Sequence, residues 1–185
     1  MGSNIWITFR QGLLVISLDL YGRGLSENVD EIYTDELFAN QVIELLQKLN
    51  IDSAKFLGLS NGGRVISKIA DIDSSIVEEL IYVASSGFKY VDELNDKSVS
   101  EIEVSNFIKN NYPTISEGQL LDFKYPEKHS GWDIKYEELL RKKGFAKALI
   151  SKRKNHYMMD TVHTKIQNSD IPVFTIWGDS DKVVL

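Results

Sequence analysis

The residues best suited to chemistry lie in the segment Gly58-Leu59-Ser60-Asn61-Gly62. An apolar run precedes Ser60 and helical spacing follows it, so the serine is predicted at a sharp turn between a strand and a helix. Such a turn needs small residues two positions either side of the serine, and Gly58 and Gly62 meet this need. It would expose the Ser60 hydroxyl for attack on a carbonyl carbon, with the Asn61 N–H as donor to the oxyanion. A serine here can also serve only as a helix cap, but the two flanking glycines favour the nucleophile.

A glycine-rich loop at Gly22 and Gly24 suggests a different chemistry, because such a loop after a strand can bind phosphate. The dinucleotide-binding pattern needs a third glycine at position 27, where the chain has Glu27, and no Gly-Lys-Ser/Thr follows. We therefore expect no nucleotide site. Asp19 and Arg23 are interpreted as residues that fix this loop rather than do chemistry.

Composition limits the classes of function. The chain has 185 residues, enough for one domain with a core, and its net charge of -6 disfavours nucleic acid as a partner. No apolar run approaches the roughly 18 residues that a membrane helix needs, so no membrane span is expected. Cysteine is absent, which excludes disulfides and thiolate metal sites and fits a reducing compartment. With no signal-peptide pattern visible, the expected location is cytoplasmic.

Apolar runs and helical patterns alternate in the first half of the chain, which predicts a parallel sheet with right-handed crossovers. Thr34 is a predicted helix N-cap, followed by acidic residues that suit the positive end of a helix dipole. Strands are predicted over residues 13–19, 54–59, 80–84 and 171–177, and helices over residues 62–70 and after Thr34.

The segment from residue 89 to about residue 168 has no convincing strand pattern. Helical spacing occurs in residues 102–108, 136–140 and 145–150, so we interpret the segment as a mostly helical insertion. At the other end of the chain, residues 4–11 are interpreted as the remnant of a helix.

Three blocks together resemble the α/β-hydrolase family, in that family's order. Residues 15–26 (VISLDLYGRGLS) are similar to its strand 4 and the following loop, residues 56–63 (FLGLSNGG) to strand 5 with the nucleophile turn, and residues 171–181 (IPVFTIWGDSD) to strand 7 with the catalytic acid. The resemblance implies an α/β fold in three layers with a mostly helical cap insertion, incomplete because strands 1–3 and 8 are not in this chain. The implied parts are a core at residues 1–88, the cap and return helix at 89–168, and the last strand and acid loop at 169–185.

The same resemblance implies a triad acid. Asp181 follows Gly178 by three residues, as in the family's G-x-x-D, and would orient a histidine and stabilise its cation. Asp179 is the competitor, and the family spacing argues against it. The family's loop after strand 3, which supplies a second oxyanion donor, has no counterpart in the residues before position 13.

The triad base is the part that the resemblance does not find. The chain has three histidines, His129, His156 and His163, and all precede the last block. The family places its catalytic histidine downstream of the acid, but this chain ends at Leu185. We interpret His129 as a residue that lines the pocket from the cap, and His156 and His163 as surface residues.

The resemblance implies a serine hydrolase that cleaves a small acyl substrate through an acyl-enzyme, most simply a carboxylic ester. Carbon–carbon bond hydrolases, amidases and thioesterases remain open, and no metal or organic cofactor is implied. Alone, the chain is expected to be a poor enzyme, because triad catalysis without the base falls by several orders of magnitude. The alternatives are a non-catalytic relative that binds ligands, an inactive fragment, or a flavodoxin-like binding module. The sequence does not indicate an oligomeric state.

Overall fold

A computed structural model describes residues 3–91, 94, 97–181 and 183–184. After two consecutive strands, helices and strands alternate up to residue 83, and the long segment that follows is helical until the last strand. Short 3₁₀ helices lie at Ser74–Ile76 and Pro126–His129. The strands are β1 (Ile5–Arg10), β2 (Leu13–Leu18), β3 (Ala54–Leu59), β4 (Val77–Val83) and β5 (Val173–Ile176), and the helices are α1 (Asp35–Lys48), α2 (Asn61–Ile72), α3 (Glu101–Leu120), α4 (Trp132–Leu140), α5 (Phe145–Lys154) and α6 (Asp160–Gln167).

The central sheet is parallel and has the order β3-β4-β5. In its register Leu57 lies opposite Ile81, and Ile81 lies opposite Phe174. This confirms the predicted parallel sheet for three of its four strands. The strand predicted over residues 13–19 is not part of it, because β2 pairs antiparallel with β1 instead. Because all three strands run the same way, the loops that follow them meet at one edge of the sheet.

The two faces of this sheet differ. Phe56, Leu80 and Tyr82 are buried in one core cluster with apolar residues of α1, α2 and α6. On the other face Leu57 and Phe174 are exposed, and none of the described helices covers them. Parallel sheets are usually buried on both faces, so this apolar face is unusual for a protein surface.

The first two helices follow their local sequence signals. The Thr34 side chain accepts a hydrogen bond from the Leu37 N–H at 3.0 Å, which confirms the predicted N-cap of α1. In α2 the residues Val65, Ile66 and Ile69 are buried, as expected of an apolar stripe at helical spacing.

The N-terminal residues form a hairpin, so the predicted helix remnant at residues 4–11 is wrong. Strand β1 pairs antiparallel with β2 across a two-residue turn at Gln11 and Gly12, whose φ angles are 52° and 79°. Two consecutive positive φ angles are typical of the tight hairpin turns that match strand twist. The run Ile-Trp-Ile-Thr-Phe is rich in β-branched and aromatic residues, which favour a strand. In the described residues this hairpin is a separate sheet from β3-β4-β5.

The helical segment contains α3 to α6 and no strand in the part that the structure describes. Helix α3 extends through Pro113 to Leu120, well beyond the predicted pattern at residues 102–108. Helix α6 buries Val162 and Ile166 in the core cluster that also contains residues of α2. Among the described residues, no helix has the length and apolar content to cross a membrane.

Candidate active site

Ser60 lies at the turn between β3 and α2, with an exposed side chain. Its φ and ψ angles are 50° and -118°, a strained backbone for a residue other than glycine. Two hydrogen bonds fix this turn to the end of β4: the Ser60 N–H donates to the Val83 carbonyl at 3.1 Å, and the Ser86 N–H donates to the Ser60 carbonyl at 3.0 Å. The strained turn therefore holds Ser60 at the carboxyl edge of the sheet.

Glycines make this turn possible, although not both of the predicted ones. A Cβ at Gly58 would lie 2.5 Å from the Gly62 carbonyl, so no larger residue fits there without a backbone shift. A Cβ at Gly62 would meet nothing within 4 Å. The second tight position is Gly63, where a Cβ would overlap the side chain of Ser85, whose Oγ in turn donates to the Gly58 carbonyl at 2.7 Å. The consecutive glycines Gly62 and Gly63 were the available signal in the sequence.

Asn61 is the first residue of α2. The first N–H groups of a helix have no partner within the helix, so the Asn61 N–H can bind an oxyanion. Asn61 Oδ1 and Ser86 Oγ are buried and have no hydrogen-bond partner among the described residues. Buried unpaired polar atoms are rare. Here one belongs to Asn61, which follows Ser60 in sequence, and the other to Ser86, whose N–H donates to the Ser60 carbonyl.

Asp181 lies in the loop that follows β5, at the same edge of the sheet as Ser60. Strand β4 separates their strands, which places the two strands about 9.6 Å apart. Asp181 Oδ1 accepts the N–H groups of Val183 at 2.8 Å and Val184 at 2.9 Å. These two bonds, with a smaller effect from the Lys89 cation, hold the pKa of Asp181 below its usual value, so the carboxylate is charged at neutral pH.

Asp179 makes different contacts. It is exposed, and its Oδ1 accepts the Ser180 hydroxyl at 2.9 Å and lies 3.5 Å from Lys124 Nζ. Both contacts lower the pKa of Asp179. Because Lys124 belongs to the turn after α3, Asp179 connects the acid loop to the helical segment.

A cavity of about 450 Å³ opens between the ends of β4 and β5. Its walls include Phe88 and Trp177, whose rings meet edge to face with centroids 5.9 Å apart. Ser86 and Val184 also line it, and these residues bond to the main chain of Ser60 and to Asp181. The cavity therefore adjoins both predicted catalytic positions and can take an apolar group.

The histidines do not complete this constellation. No hydrogen bond in the described part joins any of the three to Ser60 or Asp181. His163 Nε2 lies 3.3 Å from Ser67 Oγ, but Ser67 is fully buried, so this pair cannot meet a substrate. His129 is exposed and stacks on a phenylalanine of the helical segment.

His156 and His163, predicted as surface residues, are both partly buried. The His163 ring stacks on Phe88 with centroids 4.4 Å apart, and burial lowers its pKa. His156 is half-buried, and its Nε2 has no hydrogen-bond partner among the described residues. The polar residues that flank these histidines in sequence did not reveal their packing.

A buried ion cluster includes Arg64, which follows Ser60 by one helical turn, and sequence reasoning missed it. Asp35 and Arg64 are 0% and 1% exposed, and Lys152 is 3% exposed. Both cations bind the one carboxylate: Arg64 Nη2 at 3.0 Å and Lys152 Nζ at 2.6 Å. Burial lowers the pKa of Lys152 to about 8; Asp35 opposes this shift and the Arg64 cation adds to it. A charged residue at position 64, beside the apolar stripe of α2, was the one available signal.

His156 makes stability depend on pH on the acid side. Burial, and then the nearby Lys152 and Arg64 cations, lower the pKa of His156 from 6.5 to about 4. Between these values the unfolded chain binds a proton that the folded chain does not, so the free energy of unfolding falls as the pH decreases below 6.5. The expected loss from this residue is about 2 kcal/mol at pH 4, allowing for the ring's partial exposure.

Urea unfolding at pH 7 and at pH 4 measures this effect in the wild type and in His156→Gln, which should lose less stability on acidification. His129→Gln is the matched control, since His129 is exposed and should retain the full wild-type loss. The same acid loss in His156→Gln as in the wild type would contradict the assignment.

No protein-family profile matches the sequence, and no curated protein sequence matches it. Solved structures do match. A hydrolase from Pseudomonas aeruginosa PA01 is similar at a TM-score of 0.69 and 20% identity, over 92% of this chain and 63% of its own. The epoxide hydrolase CorEH is similar at a TM-score of 0.72 and 21% identity, over 91% of this chain and 66% of its own. The 2-hydroxy-6-oxo-6-phenylhexa-2,4-dienoate hydrolase from Rhodococcus sp. strain RHA1 is similar at a TM-score of 0.72 and 16% identity. The likeness covers 95% of this chain and 66% of that one.

These likenesses cover nearly all of this chain and about two thirds of each solved structure. The chain therefore spans about two thirds of the length of the structures that it matches. At identities of 16–21% the likeness establishes the fold and leaves the reaction to the geometry of the site.

Proposed function

Since this chain has the fold of the α/β-hydrolases, we propose that it is part of a serine hydrolase that cleaves a carboxylic ester or similar acyl substrate. Ser60 is the nucleophile, the Asn61 N–H binds the oxyanion, and Asp181 is the triad acid. The observation that carries the proposal is the strained backbone of Ser60, an exposed serine held by a glycine turn at the carboxyl edge of a parallel sheet. Backbone strain of this kind concentrates at functional sites.

In the proposed reaction, Ser60 Oγ attacks the carbonyl carbon while its proton passes to a base. The negative charge on the carbonyl oxygen is stabilised by the Asn61 N–H at the start of α2. Collapse of this intermediate expels the alcohol, which takes the proton from the base, and leaves an ester on Ser60. Water then attacks that ester, releasing the carboxylic acid and restoring the hydroxyl.

The base is a histidine downstream of the acid in the longer protein that the resemblance implies. Asp181 would accept a hydrogen bond from this histidine and stabilise its cation. A charged Asp181 at neutral pH suits this role. Both backbone N–H groups bond to Oδ1, so among the described contacts Oδ2 is left to accept a hydrogen bond from the imidazole.

We also propose that the helical segment at residues 89–168 contains the cap over the site, with α6, which packs into the core, as the return helix. Its turn after α3 reaches the acid loop through the contact between Lys124 and Asp179. The stacked rings of Phe123 and His129, with centroids 3.9 Å apart, lie beside this turn in sequence. The cap would complete the wall of the cavity opposite Phe88.

A second candidate is a non-catalytic protein that binds a small molecule in the same cavity. The observation that favours it is the lack of any described hydrogen bond between a histidine and Ser60 or Asp181. This candidate predicts that ligand binding survives the loss of Ser60.

A serine-directed fluorophosphonate probe tests the proposal on this chain and on the longer protein. We expect labelling of the longer protein, which supplies the base, and its loss in Ser60→Ala. Ser75→Ala, a change at an exposed serine before β4, is the matched control and should label as the wild type does. Labelling that persists in Ser60→Ala would refute the nucleophile, and no labelling of either chain would favour the binding protein.

The acid is tested by turnover of an aryl ester in the longer protein. Asp181→Asn should lower turnover by roughly 10³–10⁴-fold, because the imidazole loses its orienting partner. Asp179→Asn should lower it less than about 10-fold, since this carboxylate makes only exposed contacts. The reverse order would assign the acid to Asp179.

A further inference from the structure

Arg64 lies one helical turn after Ser60, in the first turn of α2. Its guanidinium donates to Asp35 Oδ2 from Nε at 3.1 Å and from Nη2 at 3.0 Å, and Nη2 also donates to the Tyr157 carbonyl at 2.8 Å. Charge-assisted bonds from a rigid guanidinium fix orientation as well as distance. Arg64 thus joins the start of α2 to the start of α1 and to the segment that leads into α6.

The stem of Arg64 supports the loop that follows β4. A Cβ at Gly87 would lie 3.2 Å from Arg64 Cγ, so the main chain of this loop lies against the side chain. The preceding residue, Ser86, donates its N–H to the Ser60 carbonyl at 3.0 Å, and Gly63 of α2 donates to the same oxygen at 3.0 Å. Both segments that bind the Ser60 carbonyl are therefore supported by Arg64.

The charges of the cluster separate the roles of its two cations. Arg64 and Lys152 share the single carboxylate of Asp35, so removing either cation leaves a balanced pair. Neutralising Asp35 therefore does not require Arg64. What Arg64 adds is its place on the helix that carries Ser60, whereas Lys152 lies on α5.

We propose that Arg64 is a positioning residue for Ser60, which holds the first turn of α2 against α1 and the loop after β4 so that the strained serine backbone persists. A strained residue keeps its conformation only where the surrounding contacts over-determine it, and the Arg64 contacts supply that constraint. The inference rests on the proposed role of Ser60 as the nucleophile.

The test compares Arg64→Met with Lys152→Met in the longer protein, which supplies the base. Each change replaces one buried cation by an apolar side chain and leaves one balanced pair with Asp35. Hydrogen exchange of the Ser60, Gly63 and Ser86 amides reports on the turn, and exchange of the β3–β4 ladder amides reports on the rest of the core. The rate of labelling by the fluorophosphonate probe reports on Ser60 itself.

In Arg64→Met we expect the three turn amides to exchange at least about 10-fold faster, relative to the ladder amides, and labelling to slow by about 10-fold. In Lys152→Met both quantities should stay within about threefold of the wild type. Equal acceleration in the two variants, or turn amides unchanged in Arg64→Met, would overturn the inference. Absence of labelling in the wild type would instead refute the proposed function. The exchange pattern would still test the role of Arg64, because hydrogen exchange does not depend on labelling.

A conservative pair covers the case in which Arg64→Met does not fold. Arg64→Lys keeps the charge but loses the rigid contact that Nε and Nη2 together make with Asp35 Oδ2. Its turn amides should exchange about threefold faster than those of the matched variant Lys152→Arg. The opposite order would show that the cluster is only structural.

Discussion

Replacing Asp35 by asparagine is expected to lower the free energy of unfolding by about 3–5 kcal/mol. The carboxylate is fully buried and accepts bonds from both Arg64 and Lys152. Asparagine fills the same space but leaves two buried cations with no opposite charge on the cluster. Removing one member of a buried ion network costs much more than the network contributes as a whole, because the remaining charges stay desolvated.

Urea unfolding at pH 7 measures the loss, with Asp30→Asn as the matched control. Asp30 is exposed, and its Oδ1 lies 3.8 Å from Lys147 Nζ. Its replacement should therefore lower the free energy of unfolding by under about 1 kcal/mol. Adding Lys152→Met to Asp35→Asn removes one of the two unpaired cations and should recover part of the loss, as a double-mutant cycle would show. A loss below about 1 kcal/mol in Asp35→Asn would contradict the buried cluster.

Replacing Gly58 by alanine is expected to abolish the geometry of the nucleophile turn. The added methyl group would lie 2.5 Å from the Gly62 carbonyl and 2.7 Å from the Gly63 nitrogen, both main-chain atoms. The end of β3 and the start of α2 must then move apart, at a cost of about 1–3 kcal/mol in stability. Since a displacement of about 1 Å can cost 10²-fold in rate, labelling of Ser60 should slow by about 100-fold.

Gly62→Ala is the control for this change, because the added methyl group meets no atom within 4 Å. It should leave labelling near the wild-type rate and could stabilise α2 by up to about 1 kcal/mol, the difference between glycine and alanine in a helix. Equal damage from the two changes would restore the sequence-based view that both positions must be small. Normal labelling in Gly58→Ala would contradict the described turn.

The sequence predicted the parts of the fold that depend on local signals. The N-cap at Thr34, the strand over residues 54–59 and the helix after Ser60 are confirmed, because each has its own pattern of apolar spacing or capping. The α/β-hydrolase fold inferred from three blocks is also confirmed by the structural likenesses. The hairpin at the N-terminus was missed, since its tight turn at Gln11 and Gly12 carries only a weak signal.

The candidate site was predictable only in outline. Parallel strands bring the loops of Ser60 and Asp181 to one edge, which follows from topology, but no local pattern gives their side-chain contacts. The ion cluster joins residues that are distant in sequence: Asp35 is 29 positions from Arg64 and 117 from Lys152. Long-range partners of this kind leave no periodic trace, and the same is true of the ring contact between Phe88 and His163.

The uncovered face of the central sheet has a practical consequence for work with this polypeptide. This face exposes an apolar surface formed by Leu57, Leu59, Phe174 and Ile176. Burying apolar surface is favourable by about 25 cal/mol for each square ångström removed from water. At high protein concentration this surface therefore favours self-association and nonspecific binding to dyes or vessel walls. Biochemistry on the 185 residues is best begun dilute, or with charged replacements on that face.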